Sequence, residues 1–511
     1  MPSKHRVASL PGARAAGGGL PDFNASRNRE RGTSPDPLRS TRMRRMRRWA
    51  SLLGIPGSLE GAVAVALYLG LMLLWKTWGG TLRIPYSVFQ YLPSDELRDH
   101  LARSLLDLHG QPPVLNLLLG IALKLDRATS VAAEEWLTAF NVAVGAATCV
   151  ALAALARRLL PGAGLRWLLL GLVLLNPYFY ASLSFFFYPP LETLLLTATA
   201  LAVARYVELP TAPRLAWFFA PALLLLHTRS LFHPAWLLAI VGALLLWTRH
   251  RQARGPLRLH AEIAVLGMLL SLAWPAKNFY RFGFFGFSSW QGLNLARGLP
   301  IASETFDRIF QRRAFMPPPS PELEAFALAG VPEELRDRPT LTRTTKPDGS
   351  ANWNHYLVLK ASKEVGPLAL KMYLDSPGIA AAKIVRLYAR GYTRYEGRDP
   401  YSGELAGGEF TADVSVAPRW AALYEALVFQ PFRAYDRTAP SRLTTGFSAL
   451  FPALMLVCFV ALWLRRRQRG PEEAAIAFAV LSIVWVFVLV VGVDGVEGNR
   501  MRYPTEGLFF L

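Results

Sequence analysis

Apolar stretches long enough to cross a bilayer recur along this chain, and most end in basic residues. About 20 apolar residues in a helix cover the ~30 Å of a hydrocarbon core. Inside hydrocarbon, a helix pairs nearly all of its backbone polar groups within itself. The fold class expected is therefore all-α: a polytopic membrane bundle of about nine to ten spans. The overall balance agrees, with 52% hydrophobic residues over 511 and a mean hydropathy of +0.25, above that of soluble domains. Both cysteines, Cys149 and Cys458, fall inside apolar runs. They read as small buried hydrophobes, which leaves no disulfide framework and no zinc site.

Residues 1–50 carry 12 Lys/Arg against 3 Asp/Glu. Up to residue 41 they are rich in Gly, Pro, Ser and Arg without hydrophobic periodicity, so this tail is expected to be disordered. The cluster Arg42, Arg44, Arg45, Arg47, Arg48 directly precedes an apolar run. That placement reads as a cytoplasmic membrane anchor rather than a nucleic-acid arm. The first span, 59–75, then emerges on the far side. Arg157-Arg158 close the run 136–155 and belong inside, so 111–157 crosses an odd number of times. Residues 114–125 are short for a span and are expected to form a surface or re-entrant helix. Further spans follow at 165–180, 191–205, 215–226, up to Arg249-His250-Arg251, and at 261–275, with basic residues at the inner exits. Residues 51–276 form the expected transmembrane module, with an outer loop at 77–134. A stretch of 277–440 without a span reads as an extracytoplasmic domain, mainly α. Residues 441–511 hold the last spans, 447–464 and 474–493. The final apolar segment from Tyr503 is too short to cross, so the native frame is expected to be longer, or 503–511 to stay at the interface.

The polar residues that this topology gathers on the outer side are Asp95, Glu96, His109, Asn116, Glu192, His227, Arg229, Lys277, Asn278, Arg281, Asp494, Glu497, Arg500 and Arg502. Ionisable groups at a membrane rim are costly and usually functional. Asp95 begins an amphipathic stretch whose Leu97, Leu101, Leu105 and Leu108 share one face, as in a helix lying on a membrane surface. It is read as the catalytic carboxylate, with Glu96 beside it as a second candidate. Each residue also has a plainer reading. Asp95 and Glu96 after Ser94 suit a helix start. Glu192 suits a helix dipole, His227 and Arg229 suit interfacial anchors, Arg500 and Arg502 suit surface charges, and the aromatics 185–188 suit an interfacial belt.

Four features, in order, resemble the GT-C superfamily of integral-membrane glycosyltransferases, which includes protein O-mannosyltransferases and the lipid A aminoarabinose transferase. They are Asp95-Glu96 followed by Gln111-Pro112-Pro113-Val114-Leu115; Glu192 after an aromatic and proline stretch; Trp274-Pro275-Ala276-Lys277-Asn278-Phe279-Tyr280-Arg281-Phe282-Gly283 running into Gly292-Leu293-Asn294-Leu295; and Glu497-Gly498-Asn499-Arg500-Met501-Arg502-Tyr503-Pro504. The resemblance covers residue 58 to the end. It departs where Glu stands for Asp at 192 and where Gln111 stands for the His or Lys of many relatives.

What the resemblance implies is transfer of a sugar from a polyprenyl phosphate to an acceptor hydroxyl on a lipid, glycan or protein, at the outer face of the inner or plasma membrane. An outer-loop carboxylate, here Asp95, is then the general base. Glu192, His227, Arg229, Lys277, Asn278, Arg281, Arg500 and Arg502 are the substrate-binding candidates, the cations offsetting charge on the leaving phosphate. No metal ligand is assigned, and a divalent cation is left open. Two other classes compete: a polysaccharide polymerase or O-antigen ligase with its chemistry in 300–437, and a transporter. A transporter calls for ionisable groups at the bilayer midplane and related halves, neither of which the sequence offers.

Overall fold

The computed structural model describes residues 59–78, 86, 90–160, 162–184, 186–250, 257–296, 299–301, 303, 305–307, 321–387, 420, 457 and 470–489. The chain divides into units Met1–Gly54 and Ile55–Leu511, and the described residues lie in the second. The basic tail, the expected span 447–464 and Asp494, Glu497, Arg500 and Arg502 lie outside the described residues.

Among the described residues the secondary structure is helical, with one isolated bridge between Thr345 and Ala351. Five helices are long and apolar enough to cross a membrane: α1 (Leu59–Thr77), α5 (Ala133–Leu159), α8 (Tyr188–Glu208), α11 (Leu257–Phe282) and α17 (Pro471–Leu489). Shorter apolar helices pack among them: α6 (Ala163–Leu174), α9 (Ala212–Thr228) and α10 (Pro234–His250). The chain is an all-α polytopic membrane protein. Its outer surface says so as well as its length: Leu73 on α1 and Val265, Leu266 and Leu269 on α11 are each more than half exposed. Apolar faces of that extent on a bundle suit lipid, since a soluble protein rarely leaves them bare.

Ion pairs mark one end of this bundle. Glu60 at the start of α1 meets Arg157 at the end of α5 (3.2 Å) and Arg166 near the start of α6 (2.8 Å). Glu208 at the end of α8 meets Arg158 (3.0 Å) and Arg214 (3.6 Å). Helices α1 and α5 are therefore antiparallel, as are α8 and α9. At the opposite end of α8, Glu192 pairs with Arg229, just past the end of α9.

Between α1 and α5 lie three shorter helices: α2 (Ser94–Asp99), α3 (Leu101–Asp107) and α4 (Val114–Ala128). Helix α4 has 15 residues, roughly 22 Å at 1.5 Å per residue, short of the hydrocarbon thickness. It packs against α2 and α5.

Three expectations are corrected. The surface helix over 97–108 is two helices broken at His100, whose backbone leaves the helical region (φ −128°, ψ 40°). The Glu96 carbonyl there accepts from both His100 N (2.8 Å) and Ser104 Oγ (3.0 Å), which holds the bend. Leu97 and Leu108 are buried and Leu101 and Leu105 pack against the same core, so this face meets protein and not a membrane surface, and α3 buries Ser104 and Asp107 as well. The run 165–180 is not one helix either. It stops at Leu174 and restarts as α7 (Pro177–Leu183), because Pro177 disfavours helix at Asn176 and itself suits a first helical position. Finally, the run at 261–275 does not end at Pro275. Helix α11 passes through that proline to Phe282, so Lys277, Asn278 and Arg281 stand on its last turns. Gly283, at φ +65°, closes it in a conformation that glycine adopts without strain.

The described residues of 291–387 form a second packing unit. Helix α12 (Gln291–Ala296) lies on α15 (Tyr356–Asp375), which continues into α16 (Pro377–Leu387). The contact is close: a Cβ on Gly292 would sit 2.2 Å from the Ser362 carbonyl oxygen. Helix α13 (Pro321–Ala329) is followed by α14 (Pro339–Thr342), whose flanking residues Arg343 and Arg338 reach back to α2 and α3.

Candidate functional site

Asp95 lies in the first turn of α2, which is strapped to α4. Lys124 Nζ donates to the Arg98 carbonyl (3.0 Å), and Asp99 pairs with Arg127 (3.1 Å). The Asp95 carboxylate is partly exposed. Its Oδ2 accepts from Arg343 Nη1 at 2.6 Å, while its Oδ1 is buried and has no hydrogen-bond partner among the described residues. Glu96, its neighbour, is buried.

From Asp95 the chain runs through α3 to Asp107, the residue that the sequence reading missed. Its side chain is 1% exposed. Arg281 Nη2 donates to it at 2.7 Å from α11; Arg338 Nη1 stands at 3.8 Å and Thr340 Oγ1 at 3.5 Å, both from the 291–387 unit. Lys277, one turn before Arg281, reaches the carbonyls of Leu106 (3.4 Å) and Leu108, and lies 3.8 Å from the centre of the Trp274 ring. Asn354 fastens the same turn from the other side. Its Oδ1 accepts from His109 N (2.8 Å) and Gly110 N (2.9 Å), and its Nδ2 donates to the Asp107 carbonyl (3.0 Å).

The network continues across the bundle end. His109 Nδ1 is 2.7 Å from Ser289 Oγ. Two residues before Ser289, the Phe287 ring meets His227, at the end of α9, with ring centres 5.8 Å apart. Next in the chain after α9, Arg229 donates through Nη1 to both Glu192 oxygens, at 3.1 and 2.9 Å, and lies over the Tyr188 ring. Glu192 is fully buried and the Arg229 side chain is 5% exposed.

The structure thus brings Asp95, His109, Lys277, Arg281, His227, Arg229 and Glu192 to one end of the bundle, opposite Arg157 and Arg158. It gives several of them internal partners. Asn116 Oδ1 accepts from Leu92 N (2.9 Å), and Asn278 Nδ2 donates to the Gly286 carbonyl (2.7 Å). Both are tied into the scaffold. Asp95 and Glu192, the carboxylates that a divalent cation would use, each face a guanidinium. Among the described residues no three His, Cys, Asp or Glu side chains gather as a metal site. The described carboxylates at this end do not fit a bound divalent cation.

His109 and His355 are both fully buried outside the spans. Burial pushes His109 down to about 3, with the Lys277 charge adding to it, and pushes His355 down to about 4. Both are neutral in the fold, whereas an unfolded histidine titrates near ~6.5. Below that value the unfolded chain binds more protons, so stability is complete above it and is lost as the pH falls towards the folded-state values. The thermal midpoint is expected to drop as pH is lowered from about 7 to about 4.5, and less steeply in His355→Gln, which keeps a donor for the Thr342 carbonyl. A midpoint flat across that range would contradict the assignment.

No protein-family model and no curated protein matches this sequence. Among solved structures it is similar to ArnT from Cupriavidus metallidurans in the apo state, at 14% identity and a TM-score of 0.32, covering 85% of this chain and 77% of that one. It is similar at the same identity and TM-score to ArnT from Cupriavidus metallidurans bound to undecaprenyl phosphate, covering 87% and 79%. A likeness at that level bears on neither substrate nor mechanism.

Proposed function

We propose that this chain is a membrane glycosyltransferase that moves a sugar from a polyprenyl phosphate to an acceptor hydroxyl at the outer face of the membrane. The observation that carries the reading is the contact network just described. Carboxylate and cationic side chains, paired across 37, 174 and 248 residues of sequence, converge at one end of an apolar helix bundle. Ionisable groups held at a bilayer rim are where a lipid-linked anion and a polar acceptor meet.

In this mechanism Asp95 accepts the proton of the acceptor hydroxyl as its oxygen attacks the anomeric carbon. The sugar–phosphate bond breaks, and the polyprenyl phosphate leaves with the bonding electrons. One displacement inverts the anomeric centre. Charge accumulates on the departing phosphate, and Lys277 and Arg281 on the last turns of α11, which reach the turn at 106–108 that follows α2, are the cations assigned to offset it. The acceptor is a lipid, a glycan or a protein. Glu96 and His227 are carried as further contacts, and Arg500 and Arg502 join the phosphate side. Arg229 serves chiefly as the partner of Glu192.

The test is glycan and lipid-linked-sugar analysis of a deletion strain with and without the wild-type gene. Loss of one sugar decoration, together with accumulation of its polyprenyl-phosphate form, is expected in the deletion. Sidedness is read in the complemented cells: a cysteine at Ser350 should react with an impermeant thiol reagent, and one at Arg158 should not until the membrane is opened. An unchanged glycan and lipid pool, or outside labelling at 158, counts against the reading.

A further inference from the structure

We propose that α15 and α16 form a second membrane-contact surface, an amphipathic face that seats the 291–387 unit among the lipid headgroups of the leaflet on the Asp95 side of the bundle. The inference does not depend on the transferase reading. It starts from where this unit leaves large apolar side chains bare. Among its described residues the exposed large hydrophobics are Leu328 and then six within 368–385: Leu368, Leu370, Leu374, Ile379, Ile384 and Val385. Leu374 is 74% exposed and Val385 64%, as open as Leu266 (57%) and Leu269 (61%) on the lipid-facing side of α11. A water-facing domain scatters such residues singly, and a concentration of them marks a contact surface.

Continuity with the bundle identifies lipid as what covers this face. Lys363 Nζ donates to the Phe282 carbonyl, at the end of the spanning helix α11. Around that point Phe279, Tyr280 and Phe285 are each more than 60% exposed. Exposed aromatics at the end of a spanning helix mark the membrane–water boundary, so α15 meets α11 at the level of that boundary. From Lys363 the exposed positions Pro367, Leu370 and Leu374 follow at steps of four, three and four, which is one stripe of an α-helix. The stripe thus begins beside the lipid-facing end of α11, and the chain continues from it into α16. The opposite face of α15 is already taken: Val358, Ala361, Val365 and Ala369 are buried in the core shared with α12. Charge points the same way. Helices α15 and α16 carry Lys360, Lys363, Lys371, Lys383 and Arg386 against Glu364 and Asp375, and Glu364 is engaged by Ser303 (2.6 Å) and Thr305 (2.9 Å). Lys360, Lys363 and Lys371 are exposed along or beside the stripe. Lysines so placed lay their stems on apolar surface and hold their ammonium groups among phosphates. The partner is therefore a phospholipid surface with anionic headgroups.

The test uses the full chain in vesicles of phosphatidylcholine and phosphatidylglycerol. In a Cys149→Ala/Cys458→Ala background, a nitroxide is attached in turn to Leu370→Cys, Leu374→Cys, Val385→Cys, Leu269→Cys and Ser350→Cys. Collisions with oxygen, which concentrates in lipid, are compared with collisions with a water-soluble nickel chelate. Labels at 370, 374 and 385 are expected to follow the label at 269, with an oxygen-to-chelate ratio several-fold above that at 350. A ratio equal to that at 350 would mean that the face is bare to water, and overturns the inference. Labels that are immobilised and met by neither reagent would mean that protein covers the face, from this chain or a second copy, and overturn it as well. The wild type supplies a measurement free of substitutions. With a photoactivatable phosphatidylglycerol in the vesicles, lipid adducts are expected by mass spectrometry on peptides from 368–385 as well as on those from α11. Adducts on α11 with none on 368–385 overturn the inference.

Discussion

Purified Asp95→Asn is expected to fold as the wild type does and to transfer sugar about 10²- to 10⁴-fold more slowly, the range that a positioned general base contributes. Folding should survive because the change keeps side-chain shape and removes only one half-exposed ion pair, with Arg343. Such pairs contribute roughly 0–1 kcal/mol. Rate should not survive, because an amide oxygen does not take a proton from a sugar or lipid hydroxyl. Glu96→Gln is the internal comparison. Glu96 is buried one residue further along the same short helix. Should Glu96→Gln abolish transfer while Asp95→Asn leaves it near normal, the base is Glu96. Should both variants turn over normally, the outer-loop carboxylates are not the catalytic groups, and the chemistry belongs elsewhere in the chain.

How far the sequence reveals this site depends on the range of the interaction concerned. Apolar length is local, so α1, α5, α8 and α11 are visible in it to within a few residues. The end of α11 is not. A proline ordinarily suggests a stop, but with membrane neighbours around it a helix tolerates one and runs on, as it does from Pro275 to Phe282. The break at Asn176-Pro177 carries the opposite lesson. Its dipeptide signal lies in plain view, outweighed in the sequence reading by the apolar run on either side.

Asp107 was invisible for a different reason. On an amphipathic pattern a lone aspartate reads as a solvated face. Its actual partner Arg281 is 174 residues away, and Arg338 lies on a separate packing unit. Arg343 was hidden in the same way, in a segment without apolar periodicity. Glu192 and Arg229 were each singled out, yet nothing in the sequence pairs them. That requires the first turn of α8 and the residue after α9 to reach the same level, which only the antiparallel packing of the two helices sets.

Because that pair is buried, breaking it should have the largest effect on folding of any single change at this end of the bundle. Arg229→Met removes the guanidinium that pairs with the fully buried Glu192, and Glu192→Leu takes from Arg229 the carboxylate that it meets beside Tyr188. Losing one member of a buried ion pair costs about 3–5 kcal/mol, whereas replacing both by apolar groups of similar volume is often neutral. Each single variant is therefore expected to lose most of its monodisperse fraction on heating in detergent. The double variant Glu192→Leu/Arg229→Met should recover a midpoint near that of the wild type, a coupling that double-mutant cycles detect between residues in direct contact. The recovered protein then answers the functional question that the single variants leave confounded with misfolding. A double variant that folds and still transfers sugar makes the pair a structural lock between α8 and α9. One that folds but is inactive places Glu192 or Arg229 against substrate. Additive losses, with the double variant less stable than either single one, would mean that the two side chains do not neutralise each other in the membrane.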